Sequence, residues 1–174
     1  MKTLFTIFTV TFLLLSVHLN AADNLDVDIY AGKVNLLSYE GSQAGLRISW
    51  PLKNWARFGF DISSNIHLQR ELPDGRLRKC SFLRTHAIVK FVTKFSKFEP
   101  YIIGSIGKDV IGENPQAYSP PPLEPVQWFD SQFGAAWKAG IFFHLSKFRI
   151  GAEIGGGTTG TGFDDYNLLL GLRL

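Results

Sequence analysis

The chain has 174 residues, 45% of them hydrophobic, and a formal net charge of +3. This length fits one domain. Aromatic residues make up 14% of the chain and charged residues only 19%, which excludes an intrinsically disordered protein. The single cysteine excludes a disulfide scaffold, and the small, scattered charge excludes a nucleic-acid-binding protein. Because the chain has 17 glycines and 15 phenylalanines, its composition favours strands over helices.

The first 21 residues have the pattern of a secretory signal peptide. Lys2 precedes an apolar run from Leu4 to Leu15, and small residues close the stretch. We predict cleavage after Ala21, which leaves residues 22–174 as the mature domain. The alternative is a membrane anchor, but the apolar run is shorter than the about 18 residues that a spanning helix needs.

Apolar and polar residues then alternate with period two through most of the chain, which is typical of strands with two different faces. In chain order, the predicted strands are residues 26–36, 44–50, 57–67, 83–91, 98–107, 132–145, 148–155 and 166–174. In the first and fifth of these segments the alternation does not decide which face points inward. The pattern predicts an all-β fold, an eight-stranded antiparallel up-and-down barrel.

The sizes of the side chains decide which face of the barrel points outward. The apolar face carries large residues such as Trp50, Phe60 and Trp137, whereas the other face carries most of the glycines, serines and charges. An eight-stranded barrel is just wide enough inside to be filled by side chains, so the bulky face must point outward. This arrangement predicts a transmembrane β-barrel. A soluble lipocalin-like barrel, the alternative, needs the reverse arrangement.

The connections between the predicted strands are of two kinds. Short links occur at residues 52–55, 95–98 and 145–148, and longer loops at 38–43, 71–79, 108–127 and 156–165. Outer-membrane barrels alternate short periplasmic turns with longer extracellular loops in this way. The third loop contains Pro120, Pro121 and Pro122, which suit a stiff exposed loop rather than a strand. Aromatic residues near both strand ends predict the girdles found where a bilayer meets water.

The charged face predicts ion pairs inside the barrel. A tight link after Pro51 places Arg47 diagonal to Asp61, and the link at Ser146 places Lys138 diagonal to Glu153. Long side chains bridge such diagonals. Since charges inside a barrel need partners, we predict that these four residues form lumen ion pairs.

The last nine residues, from Tyr166 to Leu174, resemble the C-terminal targeting strand of bacterial outer-membrane proteins, although the chain ends in Leu where Phe is usual. The layout of the whole mature chain is similar to that of the small eight-stranded outer-membrane barrels. Within that group, residues 44–50 and the entry to a strand at 98–102 resemble lipid A deacylases. The resemblance implies a barrel in the bacterial outer membrane, in contact with membrane lipid and lipopolysaccharide.

The deacylase resemblance also implies candidate catalytic residues. That family uses a His-x-Ser motif with a Glu, and this chain has His144, Ser146 and Glu153. In the family, Asn follows the Ser and the motif lies near the outer leaflet, whereas here Lys147 follows and the motif falls at a short periplasmic link. The alternative for His144 and Ser146 is a lumen histidine and a turn serine.

The sequence therefore leaves two hypotheses of function. One is a non-enzymatic envelope protein that presents its extracellular loops to an unknown partner for adhesion, surface interaction or envelope integrity. The other is a lipid A deacylase-type ester hydrolase or a degenerate relative of one. The histidines have no metal-ligand spacing, and no phosphate-binding motif is present, so we expect no metal and no cofactor. We favour the non-enzymatic protein and expect it to be a monomer.

Overall fold

A computed structural model describes residues 25–36, 39–71, 77–114, 127–128, 132–157 and 163–174. The predicted signal peptide and its cleavage site lie outside these residues, and so do the centres of the loops predicted at 71–79, 108–127 and 156–165. The described part of the chain contains no helix long and apolar enough to cross a membrane.

The described residues form nine antiparallel strands, and eight of these close into a barrel. In chain order the strands are β1 (Asp26–Leu36), β2 (Tyr39–Lys53), β3 (Ala56–Glu71), β4 (Leu77–Val92), β5 (Phe98–Asn114), β6 (Gln127–Trp128), β7 (Gln132–Leu145), β8 (Phe148–Gly157) and β9 (Phe163–Arg173). From β1 to β5 and from β7 to β9 each strand pairs with the next, β5 pairs with β7, and β1 pairs with β9 to complete the ring. The short β6 pairs with the far end of β5, outside the ring. The predicted eight-stranded up-and-down barrel is confirmed.

Three tight turns lie at one end of the barrel, which we call the inner end. The start of β1 and the last residues of β9 lie there too. Two-residue turns join β2 to β3 at Asn54–Trp55 and β7 to β8 at Ser146–Lys147. Ser146 has a φ of 63°, the left-handed conformation that the first central residue of a type II′ hairpin turn requires. The backbone N–H of Leu174 donates to the carbonyl of Leu25 at 2.8 Å. The longer loops leave from the opposite end, the outer end.

The strands extend further toward the outer end than we predicted. Residues 39–43 belong to β2 and residues 108–114 to β5, although both had been assigned to loops. The outward positions of these extensions include the exposed residues Glu40, Ser42 and Lys108. Because these outward positions are polar, the contrast between the two faces that predicts the strands is lost there.

A bulge in β3 also changes the predicted alternation. The pairing of β3 with β4 shifts between Ser64 and Gln69, and the inward position passes to Leu68, which is 2% exposed. Asn65 stabilises the shift, because its side chain donates to the carbonyl of Cys80 at 2.9 Å and accepts from the N–H of Phe82 at 2.6 Å. Its amide therefore replaces the ladder hydrogen bonds that the bulge interrupts.

Large apolar side chains cover the exterior of the barrel. Those more than half exposed include Ile29, Leu52, Trp55, Ile66, Phe95, Ile102, Ile106, Phe133, Phe148, Tyr166, Leu168 and Leu170. A soluble monomer rarely exposes a contiguous apolar patch of more than a few hundred Å². The surface is instead that of a barrel surrounded by lipid, with apolar residues outward and polar residues inward.

The interior is less uniformly small and charged than we predicted. Strands β1 and β5, whose orientation the sequence left open, point Tyr30 and Tyr101 inward, and both are buried. A Cβ atom at Gly45 would collide with the ring of Tyr30, and one at Gly140 would collide with the ring of Tyr101. These two glycines, each on the strand next to the tyrosine, therefore leave the space in which an aromatic ring fits inside an eight-stranded barrel.

Candidate functional site: the charged lumen

Charged side chains fill most of the length of the lumen. Seven acidic and seven basic side chains in the described residues are buried or largely buried there: Asp26, Asp28, Asp61, Glu99, Asp109, Glu153 and Asp165, with Arg47, Arg57, Arg84, Lys90, Lys138, Arg149 and Arg173. The formal charges of this set balance. They are arranged in layers from the inner end to the outer end.

The layer at the inner end is built around Arg149, which β8 carries into the lumen. Its guanidinium donates to Asp26 at 2.5 Å and to Asp28 at 2.6 Å, two carboxylates on the same face of β1. Glu99 of β5 accepts from Arg173 at 3.0 Å and contacts His144 at 3.1 Å. These contacts join β1, β5, β7, β8 and β9 at the inner end, where the first strand pairs with the last.

Lys90 is the fully buried cation above this layer. Its ammonium group lies 3.7 Å from Asp28 without making a hydrogen bond. It also lies 4.4 Å from the ring centroid of Tyr101 and 4.6 Å from that of Phe142. Aromatic faces attract cations, so these rings stabilise the buried charge as well as filling space.

The central layer contains the four residues predicted to form lumen ion pairs. Arg47 donates to Asp61 at 3.0 and 3.2 Å and to Glu153 at 2.9 and 3.0 Å, so its planar guanidinium joins two carboxylates. Arg47 lies directly opposite Asp61 rather than diagonal to it, because the register shifts by one residue between Pro51 and Lys53, just before the turn at Asn54–Trp55. Lys138 and Glu153 are diagonal neighbours on β7 and β8.

Lys138 and two tyrosines complete the central layer. The lysine ammonium lies 3.3 Å from Asp61 and 3.3 Å from Glu153. The Tyr30 hydroxyl donates to Asp61, and the Tyr101 hydroxyl donates to Glu153 at 2.8 Å. Two cations therefore face two carboxylates, and both carboxylates also accept a hydrogen bond from a neutral donor.

A third polar layer contains a chain of hydrogen bonds that sequence reasoning missed. His86 contacts the hydroxyl of Ser105 at 3.0 Å through Nδ1 and the carboxylate of Asp109 at 3.1 Å through Nε2. Arg84 also donates to Asp109 at 3.1 Å. The sequence contained the information that predicts this group. The turn after β4 pairs His86 with Gly107, so Ser105 and Asp109 become the diagonal neighbours of His86.

An apolar cluster closes the lumen above these layers, toward the outer end. Its buried members are Val34, Leu36, Tyr39, Leu68, Cys80, Phe82, Ala136 and Phe163. The guanidinium of Arg84 lies 3.6 Å from the ring centroid of Phe163, at the boundary between the cluster and the polar layer. The lumen is therefore packed by paired charges below and by apolar side chains above.

The structure does not bring the predicted catalytic residues into contact with one another. His144 bonds to Glu99 at the inner end, and Ser146 occupies the exposed turn between β7 and β8. Glu153 is buried in the central layer, where its carboxylate accepts hydrogen bonds from Arg47, Tyr101 and Asn167. Ser146 has the left-handed φ that its turn requires, so its position is explained by backbone geometry alone.

The described residues contain no group of three or more acidic, histidine or cysteine side chains placed to hold a metal ion. Cys80 is buried in the apolar cluster.

A closed eight-stranded barrel with an apolar exterior and a charged interior defines the class of small transmembrane β-barrels. Solved structures share this fold. Neisserial surface protein A has a TM-score of 0.64 and 10% identity, covering 87% of this chain and 96% of its own. The N-terminal barrel domain of Pseudomonas aeruginosa OprF has a TM-score of 0.55 and 13% identity, covering 86% and 97%.

The attachment invasion locus protein Ail of Yersinia pestis is also similar, with a TM-score of 0.52 and 16% identity over 88% of this chain and 99% of its own. No family model matches the sequence, and no curated protein matches it at a significant level. The chain therefore has the fold of the small eight-stranded outer-membrane barrels, as its sequence pattern predicted.

Proposed function

We propose that this chain is a monomeric protein of the bacterial outer membrane, a non-enzymatic barrel that presents its outer loops for adhesion, surface interaction or envelope integrity. One observation carries the proposal: the exterior is apolar while the interior is filled by paired charges and an apolar cluster. A barrel built in this way is a rigid anchor for whatever its loops bind.

The membrane location is supported by the backbone as well as by the side chains. Lipid offers no hydrogen-bond partners, so a spanning sheet must close on itself, and the pairing of β1 with β9 closes this one. In bacterial barrels the tight turns face the periplasm and the longer loops face outward. The inner end is then periplasmic, and the predicted signal peptide supplies the export that this location requires.

The packing of the lumen supports an anchor rather than a pore. Eight strands leave room for side chains but not for a wide channel. In the central layer Arg47 reaches both Asp61 on β3 and Glu153 on β8, so this contact spans the lumen. We expect the protein to pass neither ions nor solutes at a measurable rate.

The loops then carry the interactions with external partners. The longest predicted loop, residues 108–127, contains Tyr118 and a proline run, and prolines lower the conformational entropy lost when a loop binds. A solved structure of Ail contains the heparin analogue sucrose octasulfate. Sulfated sugars are therefore one ligand class to include when the loops of this protein are screened.

Cell fractionation tests the location, and a binding screen tests the role. The full-length chain should be recovered in the outer-membrane fraction and should migrate differently before and after boiling. Intact cells that display it should gain binding to host matrix or glycan ligands, and cells with residues 115–126 replaced by a short Gly-Ser linker should lose that binding. Recovery of the folded protein in the soluble periplasm would refute the location.

A second candidate function is acyl ester hydrolysis of lipid A. The observation that favours it is the contact chain Ser105–His86–Asp109, which has the order of nucleophile, base and orienting carboxylate. All three residues are at most 8% exposed and lie beneath the apolar cluster, which separates them from a lipid substrate. Incubation with lipopolysaccharide and mass spectrometry of released fatty acid tests this function, with Ser105→Ala and Ser146→Ala as the variants that assign any activity.

A further inference from the structure

The lipid-facing wall has a groove near the inner end, on the exterior of β5, β7, β8 and β9. Its volume is about 470 Å³, within the range of small-molecule sites. Its outward-facing lining is apolar: Phe98, Ile141, Phe143, Ile150, Ala152 and Leu168. Ala152 is the smallest of these side chains, and its cross-strand neighbours are Ile141 and Leu168. The groove exists because a small residue stands between two large ones.

Large side chains form the walls of the groove. The rings of Phe98 and Phe143 pack with their centroids 5.3 Å apart and form one side. Ile150 and Leu168 are 49% and 73% exposed, so they face the surroundings of the barrel rather than its core. The apolar lining of the groove suits an apolar occupant such as an acyl chain.

Two exposed lysines stand directly below the groove. Lys97 precedes Phe98 in the turn between β4 and β5, and Lys147 precedes β8 in the next turn around the barrel. The N–H of His144 donates to the carbonyl of Lys97 at 2.8 Å, which holds that turn against the end of β7. The two turns are therefore neighbours at this end of the barrel.

Among the residues that the structure describes, the exposed charged side chains at this end are all basic. Lys53, Lys94, Lys97 and Lys147 are exposed in or beside its turns, whereas the acidic side chains Asp26, Asp28 and Glu99 are buried in the lumen. Among the side chains that the structure describes, the exposed acidic ones are Glu40 and Asp164, both toward the outer end.

The geometry points to a binding site for one anionic phospholipid, such as phosphatidylglycerol, in the inner leaflet. One acyl chain lies in the groove above Ala152, and the phosphate lies between Lys97 and Lys147. Ala152 is five residues from Lys147, about 16 Å along an extended strand, which a long acyl chain can span. This assignment rests on the proposed function, because it takes the inner end to be periplasmic, where the membrane leaflet consists of phospholipid.

Native mass spectrometry of the purified, folded full-length barrel tests the site. The protein is released from detergent micelles that contain phosphatidylglycerol or, in a parallel sample, phosphatidylcholine with the same acyl chains. We expect the wild-type protein to retain one phosphatidylglycerol in preference to phosphatidylcholine. Lys97→Gln and Lys147→Gln should each weaken this retention about fivefold, the effect of one lysine at an anionic membrane surface. Ala152→Leu should fill the groove and weaken the retention of both lipids.

Matched controls separate the site from general effects of charge and size. Lys53→Gln removes a lysine from the same end on another turn, and Ala87→Leu enlarges another outward-facing alanine, so neither should change retention. Equal retention of both lipids by the wild-type protein, or equal losses in the controls, would overturn the proposal. Preferential retention of diphosphorylated lipid A at the same site would overturn the choice of a phospholipid. The measurement uses purified protein, so its failure leaves the membrane location, which fractionation tests, unaffected.

Discussion

Replacing Arg47 with methionine is the sharpest test of how the lumen is stabilised. Arg47 is fully buried and makes four hydrogen bonds, two to Asp61 and two to Glu153. The substitution keeps a long side chain of similar volume but removes the positive charge. It therefore leaves two buried carboxylates facing one remaining nearby cation, Lys138, among the described residues.

The size of the effect follows from this imbalance. Removing one partner of a buried ion pair costs about 3–5 kcal/mol, because the other charge is left without compensation. Lys138 and the hydroxyls of Tyr30 and Tyr101 still contact the two carboxylates, which places the expected loss near the lower limit, about 3 kcal/mol. The double variant Arg47→Met with Asp61→Asn removes one charge of each sign. It should be more stable than the Arg47→Met variant by about 1–2 kcal/mol, since the layer is neutral again.

Equilibrium unfolding in urea, with the protein folded into phospholipid vesicles and followed by tryptophan fluorescence, measures these free energies. The four proteins of the cycle are the wild type, the two single variants and the double variant. Lys53→Met is the control, because this exposed lysine should change stability by no more than about 0.5 kcal/mol. Additive losses within about 0.5 kcal/mol would show that the two side chains are not coupled and would refute the ion-pair reasoning.

Three further predictions concern the barrel and its ends. His144→Ala and Ser146→Ala should leave binding by displayed cells intact, because both residues lie at the inner end, whereas shortening the predicted third loop within residues 115–126 should abolish it. Loss of lipopolysaccharide deacylation in folded Ser146→Ala would instead establish an enzyme. Gly140→Val should destabilise the barrel by about 1–3 kcal/mol, because its side chain collides with Tyr101. If the variant lost its folded gel mobility at the same urea concentration as the wild type, this prediction would be contradicted. In planar bilayers the wild-type protein should show no stepwise conductance, and regular channel openings would disprove a sealed lumen.

The fold could be predicted from the sequence where the two barrel faces differ in polarity. In β8, Ile150 and Ile154 face lipid while Arg149 and Glu153 face the lumen, so period-two alternation is clear. In β1 and β5 the contrast is weaker, because apolar residues such as Val34 and Ile103 are buried inside. The inward face of those two strands could therefore be assigned only from their pairing with neighbouring strands in the structure.

The lumen contacts could be predicted only as far as the register was known. The turn before β3 places Arg47 beside Asp61 because both lie on the same hairpin. The contact from Arg47 to Glu153 crosses the barrel between residues 106 positions apart, so no local pattern reveals it. The bulge at Asn65 was invisible for a related reason, since its carbonyl partner Cys80 lies on the next strand.

The polarity of the barrel reverses along the length of its strands. Near the inner end and in the middle, apolar side chains such as Ile29 and Ile102 point outward, and charges such as Arg47 point inward. Toward the outer end, Val34 and Phe82 are buried inside, while exposed polar residues occupy outward positions. A buried apolar core with a polar exterior is the construction of a soluble barrel, so the outer parts of the strands are suited to water rather than lipid. The outer ends of the strands therefore form an extension of the sheet that is suited to water, and under the proposed function we expect this extension to hold the loops above the membrane surface.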